Sequence, residues 1–459
     1  MSQHSTTQCV LFPGLLKKPV VACFDQRQSS SDGGAILLQA VDRQLGLSAA
    51  LETCLQDQRQ AGKVEHTVHQ MLVQRIFGMA CGYADTNDAA KLSDDPVHKL
   101  LAGLDGRGEQ KLASQPTLCR FENASGPKQL FRAAEALLDT VLRRQQRRLK
   151  KRAQWITLDL DTSADRTHGA QQLSFFNGHY HHWCYLPLLA FLSFNQESEQ
   201  LLVAAVLQPG NASPAGAALG VLRRVIQRVR RYFPQARVRV RMDSAFATPE
   251  ILDYLEEAGV QYTVAMISNP ILKEVAEAQM KQVRKLSAAS GQSERLYGEC
   301  QYQTNKTWKH PRRVIFKAEV VREGDREPRD NARFVVTNDR QTPQWVYEKI
   351  YCQRGEIENR IKELKCGLEI DRTSCHDFWA NQLRVLMTAA AYVLMQELRL
   401  RAWGTSCARA QVAQLRERLF KLGAAVVISA RRVVLHLPHC FPFLSAFTRI
   451  ALRLGATTG

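Results

Sequence analysis

The sequence predicts an α/β core: a mixed sheet covered by helices, interrupted by a β-rich insertion and preceded by a helical domain. Three observations carry this. At Trp155 the spacing of apolar residues switches from helical to alternating: WITLDLD puts Thr157, Asp159 and Asp161 on one side and Ile156, Leu158 and Leu160 on the other. From there to Ile267 the segments read strand, strand, strand, helix, strand, helix, strand, the order of a mixed sheet with helical cover. Alternating stretches then intervene before one more amphipathic helix, at 351–365, which completes the core.

The N-terminal segments are of another kind. Residues 1–30 read as a flexible arm, with FPGLLKKP and a serine run. Residues 31–152 form a helical domain suited to DNA binding. ILLQAVDRQLGLSAALETCL keeps helical spacing and breaks at Gly46, EHTVHQMLVQRIFGMACGY is a second amphipathic segment, and Ser114 or Thr117 is placed to cap a short helix. A longer helix from Lys128 ends in RRQQRRLKKR, where Arg143, Arg144, Arg147, Arg148, Lys150, Lys151 and Arg152 make a basic patch able to contact phosphates. A solvated helix end, favourable to its own dipole, is the plainer reading of the same residues.

The core divides into 153–268 and 341–400, with the insertion at 269–340. WCYLPLLAFLSF and LLVAAVLQPG follow WITLDLD as strands, then AGAALGVLRRVIQRVRRYF as a helix, VRVRMD as a strand, PEILDYLEEAG as a helix and QYTVAMI as a strand. In the insertion RLYGECQYQT, RRVIFKAEVV and ARFVVTND alternate as strands, and its turns carry Lys306, Lys309, Arg312 and Arg313. DFWANQLRVLMTAAAYVLMQELRLRAW is apolar enough for a buried support helix, and 401–459 supplies two more helices and a strand, a region suited to dimerisation or DNA contact.

Composition narrows the function classes. The chain has 459 residues, 45% hydrophobic and 23% charged, the balance of a globular protein. Its net charge of +18 makes a polyanion the leading partner. No uncharged apolar run of membrane length occurs, and MSQHSTTQ lacks the basic and apolar regions of a signal peptide, so the expectation is a cytoplasmic, nucleoid-associated protein with no membrane partner. Twelve cysteines without a C-x-x-C pair argue against a zinc ribbon or a disulfide scaffold and predict mostly reduced, buried thiols.

The chemistry rests on three carboxylates. Asp161 ends the first core strand, Asp243 ends the fourth, and Glu358 lies on the helix at 351–365. Wound as a regular α-helix, that stretch brings Tyr351, Arg354, Glu358 and Lys365 within about 60° of one another. Three hard oxygen donors favour Mg²⁺, with Mn²⁺ able to substitute, and metal-assisted attack on a phosphodiester is the matching reaction. Arg354 and Lys365 then serve as phosphate clamps and Tyr351 as a contact to the strand being processed. Asp159 shares a strand face with Asp161 and is the alternative first ligand, while Asp165 in the next loop reads equally as a turn residue. His179, His181, His182 and Cys184 spell H-x-H-H-x-C, which matches no standard structural zinc spacing. No G-x-S-x-G elbow and no Walker A loop is present.

These residues resemble a known group. Y-CQ-R-GEI-E-NRIKEL-K, from Tyr351 to Lys365, matches the Y-x2-R-x3-E-x6-K signature of bacterial insertion-sequence DDE transposases, whose RNase H-like core is interrupted by a β-strand insertion. LDLDT around Asp161 and VRVRMDSAFATPEILDYL around Asp243 are similar to the settings of that family's first and second acids. SQPTLCRFEN and DTSADRTHGAQQLSFFNGHYHHWCYLPL resemble the patterns of one subgroup, and the likeness spans roughly residues 30–450. The resemblance implies catalysis by Asp161, Asp243 and Glu358, binding of double-stranded DNA at terminal inverted repeats, a homodimeric synaptic complex, and divalent-metal-dependent cleavage followed by joining of 3′ ends to target DNA. Some relatives form a hairpin at the element end with help from a tryptophan, for which Trp308 and Trp345 are the candidates. A structure-specific nuclease without strand transfer and an inactive DNA-binding repressor are the alternative functions.

Overall fold

The computed structural model describes residues 9–14, 16–150, 152–213, 215–304, 307–324 and 326–458. Its centre is an eight-stranded sheet made of β1 (Trp155–Thr162), β2 (Leu188–Phe194), β3 (Leu201–Val206), β4 (Arg237–Met242), β5 (Gln261–Met266), β6 (Glu294–Tyr302), β7 (Arg312–Val321) and β8 (Arg329–Thr337). In space the strands run β6-β7-β8-β5-β4-β1-β2-β3. Strands β1, β4 and β5 are mutually parallel, and every other pairing is antiparallel. Ile156, Leu158 and Leu160 are fully buried, as the alternation requires. This mixed sheet flanked by helices is consistent with an RNase H-like fold.

Seven helices matter for the site: α1 (Val68–Ala80), α2 (Pro127–Arg148), α3 (Ala218–Tyr232), α4 (Pro249–Glu257), α5 (Pro270–Ser290), α6 (Glu356–Leu368) and α7 (Phe378–Arg401). Helix α7 is buried on all sides for nearly its whole length, the mark of a core helix. It packs against α1 and α2 on one side and β3 on the other, so the N-terminal helices and the sheet share one apolar core. No helix among the described residues is long and apolar enough to cross a membrane.

The three strands of 269–340 join the central sheet, a placement the sequence left open. Strand β8 pairs with β5 from Thr263↔Thr337 to Met266↔Phe334, and β7 and β6 follow outward. The backbone groups on that side of β5 would otherwise need other partners, and β8 satisfies them. Several expectations need correction. The arm is not wholly irregular: Val10–Phe12 and Val20–Ala22 form a hairpin closed by a Cys9–Cys23 disulfide, and Ser29–Ser30 pairs with Ala424 and Ala425. Of the ten free cysteines only Cys81, Cys184 and Cys407 are buried, so mostly buried thiols were the wrong expectation. Finally, 351–365 is not one regular α-helix. A π-turn (Val346–Tyr351) and a 3₁₀ turn (Cys352–Gly355) precede α6, so Tyr351 and Arg354 are placed by irregular backbone and not by helical periodicity.

Candidate active site

Strand register brings the first two acids together. Arg241 of β4 lies opposite Asp159 of β1 in a parallel pair, so Asp243 and Asp161, each two residues further on, leave neighbouring strands at the same carboxyl edge of the sheet. Asp243 caps the short turn Ser244–Phe246 by accepting a hydrogen bond from the Ala245 amide at 3.0 Å. Asp161 accepts from the Thr162 amide at 3.0 Å. Glu358 sits in the first turn of α6, exposed, and Ile357, Ile361, Leu364 and Leu368 anchor that helix in the core.

Electrostatics ties the three carboxylates into one neighbourhood. Burial pushes the Asp161 carboxyl up to about 6; the Arg354 guanidinium opposes this, while the charges of Asp243 and Glu358 raise it further. Their oxygens do not all lie within 4.8 Å of one another, however. Arg354, buried, holds Asp161 in an ion pair of 2.9 Å, and its Nε is buried without a hydrogen-bond partner. Lys365 donates to the Ala164 carbonyl at 2.5 Å. Both cations thus clasp the end of β1 and the turn after it. Tyr351 is half-buried against Tyr347, with its phenol pushed up by burial and by the Asp243 carboxylate, against which Arg354 acts.

Asp159 is elsewhere engaged. It is fully buried, receives Nε and Nη2 of Arg241 at 2.6 and 2.7 Å, and receives the Gln200 amide at 2.7 Å. A carboxylate so saturated is a structural anion, which leaves Asp161 as the ligand candidate on that strand. Asp165 is also buried, pushed up to about 8 by desolvation, against the Thr373 hydroxyl that donates to it at 2.8 Å.

The basic patch at the end of α2 is partly consumed. Arg148 forms a two-point ion pair with partly exposed Glu197 at 2.6 and 3.0 Å, and Arg144 pairs at 2.8 Å with Glu397, whose burial demands a partner. Arg143, Arg147 and Lys150 are exposed. Lys151 and Lys306 lie outside the described residues. Of the two tryptophans, Trp308 is buried edge-on to Tyr302 and Trp345 is half-exposed.

Sequence reasoning missed Tyr180. It lies at the tip of a small sheet formed by Asp165–Arg166, His182–Tyr185 and Phe175–Asn177, and burial together with the Asp161 and Asp243 carboxylates pushes its phenol up. The dense run of polar and aromatic residues in FFNGHYHHW was the available signal.

A second group must be weighed as a metal site. Asp32, Cys81 and His98, all buried, are the only group of three or more His, Cys, Asp or Glu side chains among the described residues whose ligand atoms all lie within 4.8 Å of one another. Its mixed oxygen, sulfur and nitrogen donors suit zinc rather than magnesium. The Lys421 ammonium, 2.8 Å from Asp32, and His98, 3.0 Å from it, already balance that carboxylate, and burial holds the Cys81 thiol protonated. For a hard divalent ion the donor set of Asp161, Asp243 and Glu358 fits better: all three are oxygen donors, two at one sheet edge and the third on the first turn of α6.

The curated proteins searched contain no match. Among solved structures, the chain is similar to one described as the cryo-EM structure of piggyBac transposase synaptic complex with hairpin DNA, with a TM-score of 0.41 and 10% identity over 99% of this chain and 85% of that one, a likeness too slight to carry an argument. The model of the family described as Transposase DDE domain group 1 matches residues 12–458. With a match over nearly its entire length, the chain belongs to the Transposase DDE domain group 1 family.

Proposed function

We propose that this protein is the transposase of a bacterial insertion sequence, which binds double-stranded DNA at terminal inverted repeats, cuts it in a metal-dependent reaction and joins the freed 3′ ends to target DNA as a homodimer. The observation that carries the reading is the meeting of Asp161 and Asp243 at one sheet edge with Glu358 close enough to bias Asp161. Asp161, Asp243 and Glu358 would hold Mg²⁺, or Mn²⁺ in its place, and the bound ion supplies activation of the attacking oxygen and stabilisation of the leaving one. Arg354 orients Asp161 and sets a positive charge beside it, Lys365 steadies the turn after β1, and Tyr351 lines the approach beside Asp243. Exposed Arg147 and Lys150 contribute phosphate contacts at a distance from the chemistry, with Arg148 helping through its charge while it stays paired to Glu197.

The test uses purified protein, labelled inverted-repeat DNA, a target plasmid and Mg²⁺. Wild type is expected to cut at the element end and to give a covalent joint product. Asp161→Ala, Asp243→Ala and Glu358→Ala should each lower the cleavage rate by at least 10³-fold while circular dichroism and repeat binding stay close to wild type. Undiminished cleavage by the three variants would overturn the assignment, and cleavage without joint product would reduce it to a nuclease.

A further inference from the structure

At the opposite end of β1 and β4 from the acids lies an open cleft of about 1590 Å³. Trp155, at one end of the cleft, lies six positions before Asp161 on β1, roughly 20 Å away at the strand rise of ~3.3 Å per residue, and the lining runs from there along the sheet to Arg241 and Glu356. Its floor is the polar face of the sheet, and its rim is basic: Arg237, Arg239, Arg340 and Lys349 line it, with Arg230 at the outer wall. Arg237, Arg340 and Lys349 are exposed. The guanidinium groups of Arg237 and Arg239 stand 5.5 and 4.4 Å from the centre of the Trp155 ring, and half-exposed Trp345 closes another side.

Three acids also line the cleft, against Arg230, Arg237, Arg239, Arg340 and Lys349. Glu197 is paired with Arg148, and Asp339 is buried with one carboxylate oxygen accepting from the Gln341 amide at 2.9 Å and the other without a hydrogen-bond partner. Glu356 is the exposed one. The wall therefore presents a surplus of cations interleaved with aromatic rings, the combination that holds a nucleic-acid backbone while bases stack. Small-molecule pockets run to ~300–1,000 Å³, so this space suits a polymer segment. It is also too small to enclose a duplex, whose major groove alone is ~12 Å wide.

We infer that the cleft is a second nucleic-acid site, which takes a few nucleotides of single-stranded DNA through backbone phosphates and base stacking without reading sequence. This goes beyond the catalytic reading and does not depend on it, because the binding needs no metal and no cleavage.

Fluorescence anisotropy of full-length protein with labelled dT20 in EDTA tests it. Arg237→Glu, Arg340→Glu and Lys349→Glu combined should weaken binding at least tenfold and flatten the plot of log affinity against log salt by about two, the loss of three phosphate contacts at ~0.7 each. Arg340→Lys with Lys349→Arg keeps the charge and should stay within twofold of wild type, and metal-dependent cleavage of duplex repeat DNA should be unchanged in all. An affinity or salt slope unmoved by the triple reversal overturns the inference, as does equal weakening by the charge-keeping pair. Polyglutamate of the same length binding where dT20 does not would overturn it in favour of an acidic protein segment.

Discussion

At the residue scale, the aspartates near β1 have separate fates although they lie close together in sequence. Asp159 is held as an anion inside the sheet by Arg241, Asp161 stands at the edge beside Arg354, and Asp165 is buried with only the Thr373 hydroxyl donating to it. Asp165 therefore carries a pH signature. Its carboxyl moves from 3.8 to about 8 on folding, so the native state binds the proton more tightly than the unfolded one. Stability from this group is complete below about pH 4 and is lost as pH rises toward 8, by up to ~1.4 kcal/mol per pH unit, with no further change above that. Asp165→Asn removes the titration. In urea unfolding at a series of pH values, the variant's stability minus that of wild type should climb between pH 5 and 8 and then level off, and parallel curves would refute the assignment.

At the element scale, helix termini and irregular turns decide where the side chains point. Helix α7 begins at Asp377, whose side chain accepts hydrogen bonds from the Trp379 and Ala380 amides at 2.8 and 3.0 Å. Loss of that cap by Asp377→Ala should cost about 1 kcal/mol, read as a lower urea midpoint with an unchanged slope. Of the elements before α6, the alternating and helical segments were legible, since periodicity reports which face is buried. The turns at Val346–Tyr351 and Cys352–Gly355 were not, because the sequence there fits a regular helix and departs from it in the tertiary setting, where Arg241 donates to the Ile350 carbonyl at 2.9 Å. WCYLPLLAFLSF, expected as one strand, is likewise divided at Pro187, which has no amide to give a ladder.

At the scale of the whole molecule, buried ion networks join parts distant in sequence. Glu363 of α6, buried, accepts from Arg399 at 2.6 Å, Tyr392 at 2.8 Å and the Val412 amide at 2.8 Å, and pairs with Arg360 at 3.0 Å. Arg399 in turn reaches Glu199 at 2.6 Å. The helix carrying Glu358 is thereby fixed to α7 and to the segment before β3. Glu363→Ala removes one of the two carboxylates on Arg399 and leaves the Tyr392 hydroxyl and the Val412 amide without their acceptor, and should destabilise the protein by ~1–3 kcal/mol. Thermal unfolding checks the loss, and a melting temperature within a degree of wild type would show that the network does not brace α6.

The sequence by itself determined the α/β class, the order of the core strands and the basic character, and it offered Asp243, Glu358 and either Asp161 or Asp159 as site candidates, because alternation, helical spacing and motif spacing are local properties of the chain. Asp161 could not be separated from Asp159 that way, since both lie on one strand face and only a partner from β4 distinguishes them. Tertiary structure alone decided that Arg241 seals Asp159, that Arg354 and Lys365 clasp the end of β1, that Arg148 is spent on Glu197, and that β6, β7 and β8 extend the central sheet. Each of these is a pairing between residues far apart in the chain, set by which buried charges and strand edges come to need a partner once the core has closed.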